Sequence, residues 1–431
     1  MILGTALILI GTSGLFINAV KPDFYEGVID KISNKRNKSE EDEEMSLKDM
    51  CKIYSKLFKG MDIMKHKDWI KVTSYEDKPC YYLTKFQLSD SLFISSFVSK
   101  LEDIRNKLGV KHLEIYADKY DMCFRVRKLN MPMENYTYTK TPHHLVKLGL
   151  DLDSNFVYWN LKSDPHIGLY ANTGAGKSSL THTPICHIIQ NDSRATFYFI
   201  DLKNGVEYGR YKNLPQCKGF AKDIESAKKI ISEIEEEAEK RYKIMEEAGY
   251  SDYYEYIKDK PRTKMTHCFI FIDEFAGLMF DKKKSKDNED YSAIDVLVEL
   301  ATKIRFVGMH LFAGTQRCTK SYIDPDLKNN LTCTIGMRVM NKHNSMLILD
   351  EGGLEELDKA QGIVRGDGKQ VFFRSCFINK EIIDNVLKPY ETEPTTKVEV
   401  SETIKETRYE PNTQVIDIEN YQETKYESPF K

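Results

Sequence analysis

Residues 171–178 read Ala-Asn-Thr-Gly-Ala-Gly-Lys-Ser. This is the phosphate-loop pattern G-x-x-x-x-G-K-[ST], with Ala171 at the first glycine position. The apolar run HIGLYA (166–171) precedes it, and the helical run SSLTHTPICHII follows it. A strand, a tight loop and a helix in this order restrict the chain to an α/β fold whose sheet is largely parallel. The residue types follow from the chemistry. Gly174 and Gly176 let successive backbone N–H groups turn toward one anion. Lys177 places a cation at the β- and γ-phosphates, and Ser178 offers a hydroxyl to Mg²⁺. Asn172, Thr173, Ala175 and Ser179 complete the loop and the first helical turn, whose positive end favours phosphate. The expected cofactors are ATP and Mg²⁺.

A second segment fits the same chemistry. Residues 268–274, CFIFIDE, read as a buried parallel strand with two carboxylates at its end. Ligands bind at that edge of such sheets. Asp273 is expected in the Mg²⁺ shell, and Glu274 is expected to polarise the attacking water. Gln316, after the strand HLFAGT, is expected to sense the γ-phosphate or position water. Arg305, ahead of that strand, is expected to reach a neighbouring subunit's nucleotide as an arginine finger.

The rest of the 431-residue chain sets the context. Lys+Arg is 63 and Asp+Glu is 66, so any polyanion contact must be local rather than a general basic coat. The nine cysteines include no C-x-x-C pair, which argues against a disulfide framework or a zinc ribbon and for a reducing compartment. Residues 2–20 carry no charge. As a helix they would measure about 28 Å, enough to span a bilayer core. The following Lys21, Lys31, Lys35 and Arg36 place the remainder on the cytoplasmic side, with a buried or mis-started N-terminus and a cleaved signal peptide as the alternatives. The expected layout is a transmembrane helix (1–21), a linker and helix (22–60), a small α+β module (61–144), a motor domain (145–388) and a disordered polar tail (389–431). In the module, residues 91–108 have the spacing of a helix. The expected location is the cell membrane, single-pass, with the motor in the cytoplasm.

Several segments together resemble the FtsK/SpoIIIE family of DNA translocases. These are Pro165-His166 before the loop strand, Asp201-Leu202-Lys203 after TFYFI, and Arg241-Tyr242 in the long acidic helix. IDEFAGLM (272–279), LATKIRFVGMHLFAGTQR (300–317) and ILDEGGLEEL (348–357) complete the match. The resemblance spans about 145–380. It implies a RecA-like ATPase that assembles as a homo-oligomeric ring, a hexamer, and moves double-stranded DNA. One apolar span and a short tail resemble the compact motors of Gram-positive conjugative elements, which feed DNA from a relaxase to a transfer channel. Chromosome partition and, less favoured, protein secretion are the competing readings. Lys282-Lys283-Lys284-Ser285-Lys286 is a candidate DNA-gripping loop, with a solvated insertion as its bland alternative.

Overall fold

The computed structural model describes residues 40–128, 131–280 and 293–390. The apolar N-terminal segment, the 282–286 lysine run and all of the tail beyond Tyr390 lie outside the described residues. Among the described residues, no helix is long and apolar enough to cross a membrane.

The described chain falls into two compact units, which divide after Pro132. In the first, Met50, Tyr54 and Phe58 recur every four residues and so line one face of the helix Glu40–Lys59. That face packs on an antiparallel sheet of β1 (Ile70–Asp77), β2 (Tyr81–Leu88), β3 (Leu113–Asp118) and β4 (Asp121–Arg127), in the order β1-β2-β4-β3. Tyr54 meets Phe86 edge-on at 4.9 Å, and Phe58 meets Phe124 at 5.8 Å. The segment read as a single helix over 91–108 is broken into Ile94–Val98 and Leu101–Leu108. Lys100 leaves helical geometry between them, and Gly109, at φ 68°, closes the second.

The second unit begins at Met133. Residues 133–144, counted with the small module on sequence, pack here. Tyr136 is buried in this unit's core, and its hydroxyl donates to Gln190 Oε1 at 2.8 Å. At the other end, Tyr390 donates to the carbonyl of Ile189 at 2.9 Å, so the folded chain runs past Pro389.

Its strands are β5 (Leu145–Leu150), β6 (Phe156–Asn160), β7 (Ile167–Tyr170), β8 (Thr196–Ile200), β9 (Cys217–Ala221), β10 (Cys268–Ile272), β11 (Met309–Thr315), β12 (Cys333–Met337), β13 (Gln361–Gly366) and β14 (Lys369–Ser375). They form one sheet in the order β6-β5-β14-β13-β12-β7-β11-β10-β8-β9. The run from β12 to β9 is parallel throughout. The remaining four strands pair antiparallel at one side. The sheet is therefore mixed around a parallel centre. The hairpin β13–β14 turns on Asp367 (φ 50°) and Gly368 (φ 67°), two left-handed residues as a tight hairpin requires.

The central strands are buried on both faces, and the two faces differ. Phe197 and Phe199 of β8 lie in register with Phe269 and Phe271 of β10, and Phe271 with Phe312 of β11. Ring centroids 5.2–5.9 Å apart make a continuous aromatic layer under the helix Lys177–Asn191. The alternate residues, Ile200, Ile270, Ile272 and Leu311, pack against the helices Ile224–Glu247 and Ala293–Lys303 on the opposite face. The long helix starts at a capping box between Asp223 and Ser226. Buried Arg241 ties it down by donating to the carbonyls of Thr266 (2.8 Å) and Val307 (3.0 Å), while Tyr242 donates to that of Lys303 at 2.6 Å.

At the amino ends of the central strands, His166, His267 and His310 form a buried cluster. His267 Nδ1 lies 3.1 Å from His310 Nε2, and His166 Nδ1 accepts from the N–H of Leu311 at 3.1 Å. Burial pushes His166 and His267 down to about 3, and His310 well below its ordinary value. His187, buried under β5, is held at about 4 for the same reason. These rings are neutral when folded but protonate when unfolded below pH ~6.5. Their contribution is complete above that value and is lost as pH falls toward the folded values. Between pH 7 and 5 we expect a loss on the order of 1–2 kcal/mol per histidine. Urea unfolding at the two pH values measures it. An unchanged midpoint at pH 5 would show that these rings already carry charge in the fold.

Candidate functional site

The loop between β7 and its helix is pinned at both ends. Ala171 N–H donates to the carbonyl of Thr315 (3.2 Å), and Asn172 N–H to that of Arg338 (3.0 Å). Ala175 accepts from Ala360 N–H at 2.8 Å. The loop is thereby strung across the carboxyl ends of β11, β7 and β12. Gly174 has φ 79° with open space where a Cβ would stand. Gly176 has φ 107°, and a Cβ there would lie 3.0 Å from the Ala360 backbone. Neither position tolerates a side chain without strain. Ala171 is not among the residues with positive φ, so alanine at the first motif position costs the backbone nothing. Thr173, Gly174 and Ser178 are exposed at the mouth, with Asn172 and Ser179 partly so, whereas Lys177 is buried.

The structure brings Lys177, Asp273, Glu274 and Gln316 together with the loop. Lys177 Nζ donates to both the carboxylate and the carbonyl of Asp273. Gly314 lies close beside this contact, since a Cβ there would stand 3.1 Å from the Asp273 carbonyl oxygen. Glu274 accepts from the hydroxyl of Thr315 and, at 3.0 Å, from the N–H of Gln316. Gln316 Oε1 accepts from Thr173 Oγ1 at 2.9 Å, so it touches the phosphate loop directly. Arg305 does not belong to this cluster. It is exposed on the turn Ile304–Val307, ahead of the amino end of β11, with its guanidinium 4.5 Å over the Phe306 ring.

Three residues reach the site that motif reading left without a role. Buried Asp201, at the end of β8, accepts from the N–H groups of Lys203 (3.1 Å), Glu207 (2.7 Å) and Tyr208 (2.9 Å). That folds the following turn back toward the loop helix. Lys203 Nζ lies 2.9 Å from Asp273 Oδ2 and 3.7 Å from Glu274 Oε2. Glu207 sits 3.1 Å from His182 Nε2, whose Nδ1 is 2.8 Å from the Tyr211 hydroxyl. Burial raises the Glu207 carboxyl, but hydrogen bonds from His182 and Ser178 outweigh it, and the net direction is downward. The Asp-Leu-Lys triplet was the one sequence signal for this turn. Glu207 had none, because its approach depends on how the turn folds.

The donor set fits a nucleotide with Mg²⁺. Ser178 and Asp273, with Glu207 beside Ser178, are hard oxygen donors. Among the described residues, no group of three or more His, Cys, Asp or Glu could hold a metal alone. Mg²⁺ suits such a partial site, because it is bound by one or two carboxylates plus substrate phosphates and water.

Comparison with known proteins agrees with this geometry. The family model "FtsK/SpoIIIE family" matches residues 129–320. The chain is 30% identical over 362 residues to DNA translocase FtsK of Clostridium acetobutylicum, covering 78% of this chain and 46% of that protein. It is 27% identical over 271 residues to DNA translocase SftA of Bacillus subtilis, covering 60% of this chain and 28% of that one. The chain thus spans about half or less of these relatives. Among solved structures, the pCW3 conjugation coupling protein TcpA, a monomer form with ATPγS, matches with TM-score 0.56 at 21% identity, covering 78% of this chain and 97% of that one. The cytoplasmic domain of the Thermomonospora curvata type VII secretion ATPase EccC matches with TM-score 0.51 at 19% identity, covering 62% and 34%. At these identities the two structures establish a shared fold. Residues 129–320, which carry the phosphate loop and both carboxylates, match the model of the FtsK/SpoIIIE family.

Proposed function

We propose that this protein is an ATP-driven DNA translocase that couples DNA to a conjugative transfer channel. The observation that carries the reading is the joining of Lys177, Asp273, Glu274 and Gln316 at one sheet edge, inside the residues that match the FtsK/SpoIIIE family model. The loop N–H groups and Lys177 bind the phosphates. Ser178 and Asp273 would hold a Mg²⁺, which would supply positive charge against that of the phosphates. Glu274 orients the attacking water, and Gln316 links that carboxylate to the loop through Thr173. Hydrolysis then shifts elements that grip the DNA backbone, a contact independent of sequence and weakened by salt.

The likeness to a conjugation coupling protein over nearly its whole length supports the transfer setting. The FtsK and SftA relatives support chromosome partition as the second reading. A hexameric ring, a membrane anchor in residues 1–21, double-stranded DNA as substrate, and a relaxase and channel as partners complete the proposal.

ATPase activity of the full chain, with double-stranded DNA, single-stranded DNA or neither, tests it. Stimulation by double-stranded DNA, lost in Lys177→Ala, is the expected result. A preference for single strands would shift the substrate toward one processed by a relaxase. Hydrolysis indifferent to DNA would count against the translocase and favour a secretion ATPase.

A further inference from the structure

We infer that Lys203 is a second phosphate-sensing cation, which exchanges between the carboxylates of Asp273 and Glu274 and the terminal phosphate of a bound nucleoside triphosphate. The inference rests on the nucleotide reading above and adds a residue that distinguishes triphosphate from diphosphate.

Asp273 offers two carboxylate oxygens, and an ammonium faces each. Lys177 takes Oδ1, and Lys203 lies 2.9 Å from Oδ2. The two lysines differ in freedom. The Lys177 side chain is 4% exposed and is held by the Asp273 carbonyl as well. The Lys203 side chain is 39% exposed. Its backbone is fixed, because its N–H donates to Asp201 and the next two residues, Asn204 (φ 61°) and Gly205 (φ 76°), form a left-handed turn. The anchor is therefore rigid and the flexible four-carbon stem is free to swing.

A divalent cation that takes an Asp273 oxygen competes with these ammonium groups, and the solvent-facing one exchanges more readily. Lys203 then needs another anion within its reach. Glu274, 3.7 Å away, is already occupied by Thr315 and the N–H of Gln316. A γ-phosphate beside Lys177 supplies that anion, and a diphosphate does not. Lys203 thus opposes metal binding at Asp273 until a terminal phosphate draws it away.

The test uses the full chain and Lys203→Met, which keeps the apolar stem and removes the charge, with Lys203→Arg as the charge-retaining control. Mn²⁺ binding without nucleotide is read by electron paramagnetic resonance. ATPγS and ADP binding with Mg²⁺ are read by calorimetry. Loss of one charge-assisted contact predicts roughly tenfold weaker ATPγS binding in Lys203→Met, with ADP changed less than about twofold. Mn²⁺ alone should bind more tightly, because its competitor is gone. Lys203→Arg should stay near wild type in all three. A merely structural role would weaken ATPγS and ADP alike and would not tighten Mn²⁺, and either result overturns the assignment. Wild-type protein that binds neither nucleotide would overturn the nucleotide reading itself, whereas normal wild-type binding with an unaltered Lys203→Met removes only the role of Lys203. If Lys203→Met does not fold, Lys203→Gln gives the same three readings.

Discussion

Glu274→Gln is expected to bind ATP and Mg²⁺ as the wild-type chain does and to lose about 10²–10⁴-fold in hydrolysis. The carboxylate lies at the end of β10, where Thr315 and the N–H of Gln316 hold it from one side. Glutamine keeps the length and can still accept from Gln316. It cannot take a proton from water or orient it with a full negative charge. Binding rests on other groups, namely the loop N–H groups, Lys177, Ser178 and Asp273. The two effects therefore separate, with ATP affinity within a few-fold and kcat nearly abolished. Single-turnover hydrolysis alongside equilibrium ATP binding measures both. A parallel fall in affinity and rate would show that Glu274 shapes the loop rather than activating water, because Gln316 also contacts Thr173.

The second large effect concerns Arg305. Met309–Thr315 separates it from the nucleotide edge of its own subunit. At about 3.3 Å per residue, that strand puts roughly 20 Å between them. Arg305 therefore acts on a neighbouring subunit's nucleotide or does not act in hydrolysis at all. Removing an arginine finger is expected to reduce the rate by about 10³–10⁵-fold. Arg305→Ala and Lys177→Ala should each be inactive alone. Mixed in equal amounts in a ring, they should recover about a quarter of the sites, since an intact loop then meets an intact arginine by chance. No recovery on mixing, with ring assembly verified, would remove Arg305 from the mechanism. Wild-type activity of Arg305→Ala by itself would do the same.

The same contrast between near and far residues separates what could be read in advance from what could not. The phosphate loop was legible because its chemistry is local. Glycines, lysine and serine must be contiguous for one backbone turn to enclose a phosphate, so the pattern survives in one dimension. The strands β7, β10 and β11 were legible as apolar runs closed by turn residues. β14 was missed although Asp367-Gly368 marks its hairpin, and the antiparallel side of the sheet was missed with it. Pairing direction depends on which strands meet, which an apolar run does not record. Residues 91–108 read as one helix because the spacing of apolar side chains passes unbroken through Lys100, while the backbone does not.

By itself the sequence determined the loop, the two carboxylates and a parallel α/β centre, because each is written in residues adjacent along the chain. Only the tertiary structure decided which groups share the site. Gln316 meets Thr173 across 143 positions, and Lys177 meets Asp273 across 96. The turn held by buried Asp201 brings in Lys203 and Glu207. The fold also separated residues that had looked alike as parts of one motif set. His166, Arg241 and Tyr242 brace the amino edge and the far face, and Arg305 faces outward. The physical reason is that a parallel sheet collects the ends of distant strands at one edge, and the strand order that sets those neighbours is a property of packing rather than of any local run of residues.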